Sequence, residues 1–260
     1  MKDRVKPLSG VRNFRDFGGY DSKHGGKLKT GVLFRSGHYG EATADDIAAL
    51  NQFGIVFQVD LRRPDERERV VNKWPGEGVR VLTSDGGAAT QAPHTQFLEE
   101  VEADAEQARQ WMMDYYSKAP FRPHHQELFT GWFQSLANLE EGEAALVNCA
   151  AGKDRTGILC ALTHHILGVS EKDIFADYDL TNIAAKVEER LPEAQAYFND
   201  YLGKTYAKEV YRPFVGVDVE FLETAIGAIN SEAGSVDTYL KEALGVTPEM
   251  KDAMRARLIG

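Results

Sequence analysis

Residues 145–162, ALVNCAAGKDRTGILCAL, constrain the fold more than any other stretch of this chain, because three unlike patterns follow one another without a break. The apolar run that ends at Cys149 predicts a buried strand, and the apolar spacing from Thr156 onward predicts a helix. The eight residues from Cys149 to Thr156 are mostly small or polar and predict a loop between the two. Such a loop lies at the carboxyl edge of a sheet, where α/β proteins bind ligands.

Further strand and helix patterns alternate along the chain. Strands are predicted over 31–37, 55–61 and 79–83, and helices over 43–54, 96–118 and 123–139. The predicted helix N-caps are Thr43, Ser170, Ser235 and Thr247. Strands interleaved with helices predict an α/β fold with a mostly parallel central sheet that helices cover on both faces.

Composition narrows the classes of partner. The chain has 260 residues with a net charge of -10 and 43% hydrophobic residues, which is typical of a globular protein with an acidic surface. The length fits one large domain or two small ones, and one is favoured. No strongly basic stripe is present, so nucleic acid is not an expected partner.

Targeting and redox signals are sparse. No run approaches the roughly 18 apolar residues of a membrane span, and the N-terminal MKDRVKPLSG lacks the apolar core of a secretory signal. A cytoplasmic protein without stable membrane insertion is expected, and export without a signal peptide stays open. The two cysteines, Cys149 and Cys160, predict no disulfide framework and leave a thiol available for chemistry. The oligomeric state stays open.

The predicted loop has the composition of an anion-binding site. Small Ala150, Ala151 and Gly152 let the backbone curl until successive N–H groups point inward, beside the positive end of the following helix. Arg155 adds a planar fork of donors that holds two phosphate oxygens at once and keeps its charge at neutral pH. A doubly charged oxyanion such as phosphate fits this arrangement.

The same features act on Cys149. Helix N-termini and nearby cations lower the pKa of a thiol from about 8.5 to between about 3.5 and 7.5. The loop therefore predicts a nucleophilic thiolate beneath a bound phosphate, and the alternative is a buried structural cysteine before a glycine turn. A nucleotide-binding P-loop is excluded, because Asp154 stands where that motif needs Ser or Thr and Val147 where it needs Gly.

The loop resembles that of the cysteine-dependent phosphatases. Residues 149–157, CAAGKDRTG, are most similar to the loop of a bacterial tyrosine phosphatase family, which reads Cys-x-x-Gly-Lys-Asp-Arg-Thr-Gly. Other stretches similar to that family are NFRDFGGY at 13–20, LFRSG at 33–37, VDLRRPDERE at 59–68, DYDLTN at 177–182 and YLKEALGV at 239–246. The resemblance spans nearly the whole chain and implies one protein tyrosine phosphatase-like catalytic domain over 1–260.

That resemblance implies hydrolysis of phosphomonoesters through a phosphocysteine on Cys149, with Arg155 as clamp and without a metal or other cofactor. Phosphotyrosine is the leading substrate, and dual specificity stays open. The residues implied to surround the phosphate are Ala150, Ala151, Gly152, Lys153 and Thr156. Family members with Lys in this loop also resemble phosphoinositide phosphatases, because Lys153 adds a second cation toward an inositol headgroup. A phosphorylated protein and a phosphoinositide are therefore competing substrates.

The leaving group needs a proton. Tyrosine phosphatases that use a remote loop supply it from an Asp after Trp-Pro, but a Gly takes that place in KWPGEG, so Trp74 and Pro75 are interpreted as structural. In the family that the chain resembles, the acid is the Asp inside the phosphate loop, which carries over to Asp154. Asp60 and Asp85, at strand ends, are the alternatives, and Asp60 is also a candidate to contact substrate.

One position departs from the family signature, which usually places His before the cysteine. This chain has Asn148 there. An uncharged amide can still hydrogen-bond the loop backbone but stabilises a thiolate less than His does, so slower turnover than in a His-containing relative is expected. The alternative to an active enzyme is a phosphate-reading module, a pseudophosphatase weakened at Asn148.

Several other residues have two interpretations. Thr156 either donates to the thiolate or caps the helix. The aromatic-rich segment 186–215 either forms a helical lid or pocket wall that favours the long phosphotyrosine over phosphoserine, or only packs. Arg62 and Arg63 either read substrate charge or form structural ion pairs. Cys160 is predicted to be core, and the adjacent His pairs are poorly spaced for a metal.

Overall fold

The computed structural model of the protein describes residues 4–6, 8–89, 93–100, 102 and 104–260. Its sheet contains β1 (Arg15–Asp16), β2 (Leu33–Ser36), β3 (Ile55–Asp60), β4 (Arg80–Leu82) and β5 (Ala144–Asn148). The order across the sheet is β1-β2-β5-β3-β4, with β1 antiparallel to β2 and the other neighbours parallel. The prediction of an α/β fold with a mostly parallel central sheet is confirmed.

The helices of the described residues occupy most of the remaining chain. They are α1 (Ala44–Leu50), α2 (Pro64–Arg69), α3 (Pro93–Glu100), α4 (Ala105–Lys118), α5 (Pro123–Ala137), α6 (Asp154–Ile166), α7 (Glu171–Ala184), α8 (Val187–Leu202), α9 (Lys208–Val215), α10 (Val219–Ala233), α11 (Val236–Glu242) and α12 (Pro248–Leu258). The predicted N-caps Thr43, Ser170, Ser235 and Thr247 are confirmed. No helix in the described part of the chain has the length and apolar character that a membrane crossing requires.

Strand β5 lies in the middle of the sheet, and all of its residues are buried. Ala145 and Val147 belong to the larger core, which includes side chains of α5 and α6. Ala144 and Leu146 belong to a second core with α1 and the buried Trp74, in keeping with the structural role predicted for that residue. Because successive strand residues point to opposite faces, helices cover both faces of the sheet, as predicted.

The predicted helix over 96–118 is instead two helices, α3 and α4, and residues 101 and 103 lie outside the described part of the chain. Asp104 begins α4 with a capping box. Its carboxylate accepts from the Gln107 N–H at 2.8 Å, and the Gln107 side chain accepts from the Asp104 N–H at 2.9 Å. This cap satisfies the first donors of a new helix, so the continuous apolar spacing was a misleading signal here.

Candidate active site

A cavity of about 130 Å³ lies at the carboxyl edge of the sheet, where the chain turns from β5 into α6. The loop residues that line it are Cys149, Ala150, Ala151, Lys153, Asp154 and Arg155. Residues of other elements that line it are Arg63, Glu66, Pro93, His94, Trp111, Met112, Tyr115 and Phe214. The structure thus brings the predicted nucleophile, clamp and acid together in one cavity.

The Cys149 thiol lies beneath the loop. Only 2% of the residue is exposed, yet Cys149 lines the cavity, so it is not sealed in the interior. The Gly152 N–H donates to Sγ at 3.2 Å. None of the described residues accepts a hydrogen bond from the N–H groups of Ala150, Ala151 or Lys153. Donors that have no acceptor among the described residues, at the N-terminus of a helix and next to the sulfur, are the features of an anion-binding site.

The curl of the loop depends on Gly152. Its φ is +69°, and a Cβ on it would lie 2.4 Å from the backbone carbonyl of Ser36, so both conformation and space require glycine. The Gly152 carbonyl oxygen accepts from Asn13 Nδ2 at 2.7 Å and from Arg35 Nη2 at 3.0 Å. These side chains fix the underside of the loop from the N-terminal segment and from β2.

A buried ion cluster holds Arg35 in that place. Arg35 Nη1 lies 2.7 Å from Asp177 Oδ2, and Arg15 Nε lies 3.4 Å from Asp177 Oδ1. Burial opposes ionisation, yet the two arginines hold the pKa of Asp177 well below the usual range. The stretches that contain these residues resemble the family, but their roles escape prediction because Arg35 and Asp177 are 142 positions apart. The signal that could have predicted this cluster is the presence of charged residues within apolar sequence patterns.

Helix α2 brings two charged residues to the cavity wall. Glu66 accepts from Arg155 at 2.6 Å (Nη1 to Oε2) and 2.8 Å (Nη2 to Oε1), and Arg155 Nη1 also donates to the Leu61 carbonyl at 2.9 Å. Burial opposes ionisation, but Arg155 holds the pKa of Glu66 at about 2. Arg63 pairs with Asp65 at 3.0 Å, which is the structural ion pair considered for it. Glu66 escapes prediction because nothing in VDLRRPDERE sets it apart from its acidic neighbours.

The Asp154 side chain is 20% exposed and shares the cavity with the thiol. Its Oδ1 accepts from the Tyr116 hydroxyl at 2.7 Å and from Lys153 Nζ at 2.8 Å. Lys153 Nζ also donates to the carbonyl oxygens of Pro213 at 3.2 Å and Gly216 at 3.0 Å. The loop lysine therefore connects the predicted acid to the C-terminal end of α9.

The structure does not bring Asp60 to the cavity, which corrects its assignment as a substrate contact. Asp60 is 2% exposed, and Arg62 donates to it from Nη2 at 2.7 Å and from Nε at 3.0 Å. Asn148 Nδ2 adds a bond at 3.0 Å. These donors occupy the carboxylate, so Asp60 is structural and Arg62 forms a structural ion pair. Asp85 is exposed, pairs with Arg67 at 3.2 Å, and does not line the cavity.

Asn148 and Thr156 do not make the contacts expected of them. Asn148 Oδ1 accepts from Gln58 at 2.6 Å, and its Nδ2 donates to Asp60. The side chain therefore joins β5 to β3 and does not hydrogen-bond the loop backbone. Asn148 is in register with Asp60 of β3, so the two side chains lie on the same face of the sheet. Thr156 Oγ1 is buried and has no hydrogen-bond partner among the described residues. Thr156 lies inside the first turn of α6, after the position where a cap acts, and does not contact Cys149 by a hydrogen bond.

The segment predicted as a lid or wall over 186–215 consists of α8 and α9. Phe214 of α9 lines the cavity. Tyr197 and Tyr201 of α8 are 65% and 52% exposed. The other aromatic residues of the segment, which pack into a separate small core, are Phe198, Tyr206 and Tyr211. Phe214 is thus the aromatic residue through which this segment contacts the cavity.

Aromatic residues of α3 and α4 complete the walls. The His94 ring stacks on Phe214 with centroids 5.7 Å apart, and Trp111 meets Phe214 edge-on, also at 5.7 Å. Burial lowers the pKa of His94 to about 4, so His94 is neutral at physiological pH. Burial raises the pKa of Tyr115 to about 12. These walls escape prediction because aromatic residues on an amphipathic helix normally indicate packing.

Proteins that are named as phosphatases resemble this chain over most of its length. A Cupriavidus necator protein assigned as a tyrosine-protein phosphatase is 30% identical over 91% of this chain and 82% of its own. The triple specificity protein phosphatase PtpB of Mycobacterium tuberculosis is 28% identical over 98% of this chain and 99% of its own. A solved structure, TpbA of P. aeruginosa, has a TM-score of 0.35 at 15% identity, covering 83% of this chain and 91% of that one.

Fold, loop and relatives agree on one class, the protein tyrosine phosphatase-type hydrolases. Within that class the chain belongs to the tyrosine phosphatase family, whose model matches residues 6–260. The resemblance that the sequence motifs indicated is therefore confirmed.

Proposed function

We propose that the protein hydrolyses phosphotyrosine without a metal, through a phosphocysteine on Cys149, with Arg155 as phosphate clamp and Asp154 as acid. The observation that carries this proposal is that Cys149, Arg155 and Asp154 line one cavity, beside loop N–H groups that have no acceptor among the described residues. The family match over 6–260 supports a single catalytic domain over 1–260.

The first step transfers the phosphoryl group to sulfur. The Cys149 thiolate attacks phosphorus, and the bond from phosphorus to the tyrosine oxygen breaks. The leaving oxygen takes a proton from the carboxylic acid of Asp154. The loop N–H groups and the Arg155 guanidinium neutralise the charge that develops on the phosphoryl oxygens.

The second step releases phosphate. Water attacks phosphorus and gives a proton to the Asp154 carboxylate, while the bond from phosphorus to sulfur breaks. The products are inorganic phosphate, the Cys149 thiolate and a reprotonated acid, so the enzyme returns to its starting state.

The aromatic walls support an aryl phosphate as substrate. Trp111, Tyr115 and Phe214 line the cavity, and aromatic rings favour contact with another ring at offset or edge-on geometry. Phe214 is the residue of the segment 186–215 that lines the cavity wall. In this proposal the segment therefore sets how deep the cavity is for a phosphotyrosine side chain. The name of the Mycobacterium tuberculosis relative supports a specificity wider than phosphotyrosine alone.

A phosphoinositide is the second candidate, because Lys153 places a second cation beside the cavity. Its ammonium group already contacts Asp154 Oδ1 at 2.8 Å and the carbonyl oxygens of Pro213 and Gly216. A second phosphate on an inositol ring would have to draw Lys153 away from these acceptors. The arrangement therefore favours phosphotyrosine over the lipid.

Turnover of p-nitrophenyl phosphate tests the chemistry. We expect acid quenching and mass spectrometry to trap a phosphate on Cys149, and Cys149→Ser to abolish both turnover and trapping. Cys160→Ser is the matched control, because Cys160 is in the core, as predicted, and burial raises its pKa to about 12. Turnover by Cys149→Ser would contradict the proposal. Phosphoester binding without turnover by the wild type would favour a pseudophosphatase weakened at Asn148.

The substrate class needs a parallel assay. A phosphotyrosine peptide and a phosphoinositide in phosphatidylcholine vesicles are compared by phosphate release at equal phosphoester concentration. We expect kcat/KM to be higher for the peptide by at least about tenfold, which corresponds to about 1.4 kcal/mol of transition-state stabilisation. The reverse ratio would assign the lipid.

A further inference from the structure

The two oxygens of the Asp154 carboxylate have unequal surroundings. Oδ1 accepts from the Tyr116 hydroxyl at 2.7 Å and from Lys153 Nζ at 2.8 Å, whereas no described residue donates to Oδ2. The Asp154 residue lines the cavity, and its side chain keeps 20% of its surface exposed. Because two donors occupy the lone pairs of Oδ1, a proton on this carboxyl group resides on Oδ2.

The Tyr116 hydroxyl also contacts the Tyr178 hydroxyl at 2.6 Å. A tyrosine hydroxyl has one hydrogen, and Tyr116 gives that hydrogen to Asp154. Tyr178 must therefore be the donor in the second bond. The hydrogen bonds run in one direction, from Tyr178 on α7 through Tyr116 on α4 to Asp154 on α6.

Packing fixes both tyrosines in this chain of bonds. Both are buried, and their rings meet edge-on with centroids 6.3 Å apart. Gly157 of α6 leaves room for the Tyr178 ring, since a Cβ there would lie 2.8 Å from it. Burial and the nearby Asp154 raise the pKa of Tyr116 well above its ordinary value, so Tyr116 keeps its hydrogen throughout the pH range of an assay.

We propose that Tyr116 is a positioning residue for the acid: it holds Oδ1 of Asp154 so that the transferable proton is carried on Oδ2 and directed into the cavity. Tyr178 sets the donor direction of Tyr116. This inference rests on the proposed function. In the first step the proton moves from Oδ2 to the leaving oxygen, in the second it returns from water to Oδ2, and Tyr116 neither gains nor loses a proton.

The charged and titratable groups around Asp154 come from several elements. They are Cys149, Lys153 and Arg155 of its own loop and helix, Arg63 and Glu66 at α2, His94 of α3, Tyr115 and Tyr116 of α4, and Tyr178 of α7. Burial lowers the pKa of His94 to about 4, so its ring is neutral near pH 7 and does not replace Asp154 as the acid.

Tyr116→Phe removes one hydrogen bond to the carboxylate while keeping the ring. We expect kcat for phenyl phosphate, whose leaving group needs a proton, to fall about tenfold, and kcat for p-nitrophenyl phosphate to change less than about twofold. Tyr178→Phe should lower kcat for phenyl phosphate in the same direction by a smaller factor.

Tyr239→Phe is the matched control, because its buried hydroxyl donates to the Pro120 carbonyl outside the cavity. We expect it to leave the ratio of kcat for the two substrates unchanged. The positioning role of Tyr116 is overturned if Tyr116→Phe matches Tyr239→Phe, or if it slows both substrates equally.

Asp154→Asn separates this inference from the proposed function. If Asp154→Asn slows phenyl phosphate selectively and Tyr116→Phe does not, only the role of Tyr116 fails. If Asp154→Asn lowers kcat equally for both substrates, Asp154 is not the acid. The positioning role of Tyr116 is then wrong as well. Melting temperatures of all variants show that the comparison is made between folded proteins.

Discussion

Glu66 and Arg155 form a two-point ion pair, with oxygen to nitrogen distances of 2.6 and 2.8 Å across 89 positions of sequence. A carboxylate and a guanidinium in this fork geometry fix the plane of the guanidinium. In the proposed mechanism the same plane meets the phosphoryl oxygens. Helix α2 therefore sets the direction of a clamp that belongs to α6.

Glu66→Gln should hold the Arg155 guanidinium less firmly in its plane. A hydrogen bond to a charged group contributes about 1.5–3 kcal/mol, so kcat/KM for p-nitrophenyl phosphate is expected to fall about ten- to a hundredfold. Glu68→Gln is the control, because Glu68 is an exposed residue of the same helix. Equal activity of the two variants would show that Arg155 needs no support from α2.

Acid should remove the stabilisation that Glu66 provides. Its pKa is about 2 in the folded protein against an ordinary 4.5, so its contribution to stability is present above about pH 4.5 and is lost as the pH falls toward 2. The wild type and Glu66→Gln should therefore differ most in free energy of unfolding near neutral pH and converge in acid. Urea unfolding at several pH values measures this difference, and a gap that stays constant would contradict the expectation.

Gly152→Ala should disable the loop at 149–156, which binds phosphate in the proposed mechanism. A Cβ at residue 152 would lie 2.4 Å from the Ser36 backbone, whereas a Cβ at Gly142, which also has a positive φ, meets nothing within 4 Å. Gly142→Ala is expected to cost only the left-handed backbone strain of about 1–2 kcal/mol and to keep full activity. Gly152→Ala should lower kcat/KM by more than about a hundredfold, since the loop itself must move. Comparable activity of the two variants would refute the steric explanation.

Asp177→Asn should destabilise the protein strongly. The carboxylate is buried between Arg15 and Arg35, and removing one partner of a buried pair typically costs about 3–5 kcal/mol. Asp179→Asn makes the same change at an exposed position on the same helix and should cost less than about 1 kcal/mol. Denaturant unfolding followed by tryptophan fluorescence compares them, and similar midpoints would contradict the prediction.

Lys153→Met should loosen α9. The buried Lys153 ammonium bonds the carbonyl oxygens of Pro213 and Gly216, so its loss leaves the C-terminal end of that helix without this tether. Hydrogen exchange over 208–216 is expected to become faster, with little change in the core strands. Lys208→Met, at an exposed position on the same helix, is the control. Unchanged exchange in Lys153→Met would show that other contacts hold α9.

Local sequence patterns determine the secondary structure around Cys149 and the fold class of this protein. The strand before Cys149, the helix that includes Arg155 and the glycine-rich turn between them lie within a few positions of one another, so their periods and residue types specify strand, loop and helix directly. Strand and helix patterns of the same local kind alternate along the rest of the chain. This alternation predicts an α/β fold with a mostly parallel sheet.

Only the tertiary structure decided which side chains support the loop. Glu66 meets Arg155, Tyr116 meets Asp154 and Asp177 meets Arg35 because sheet order and helix packing bring together residues 89, 38 and 142 positions apart. The sequence also misplaced Asp60, whose carboxylate is occupied by Arg62 and Asn148. The backbone pattern of an element depends on its neighbours in sequence, whereas the partner of a side chain depends on which elements pack against it and from which direction.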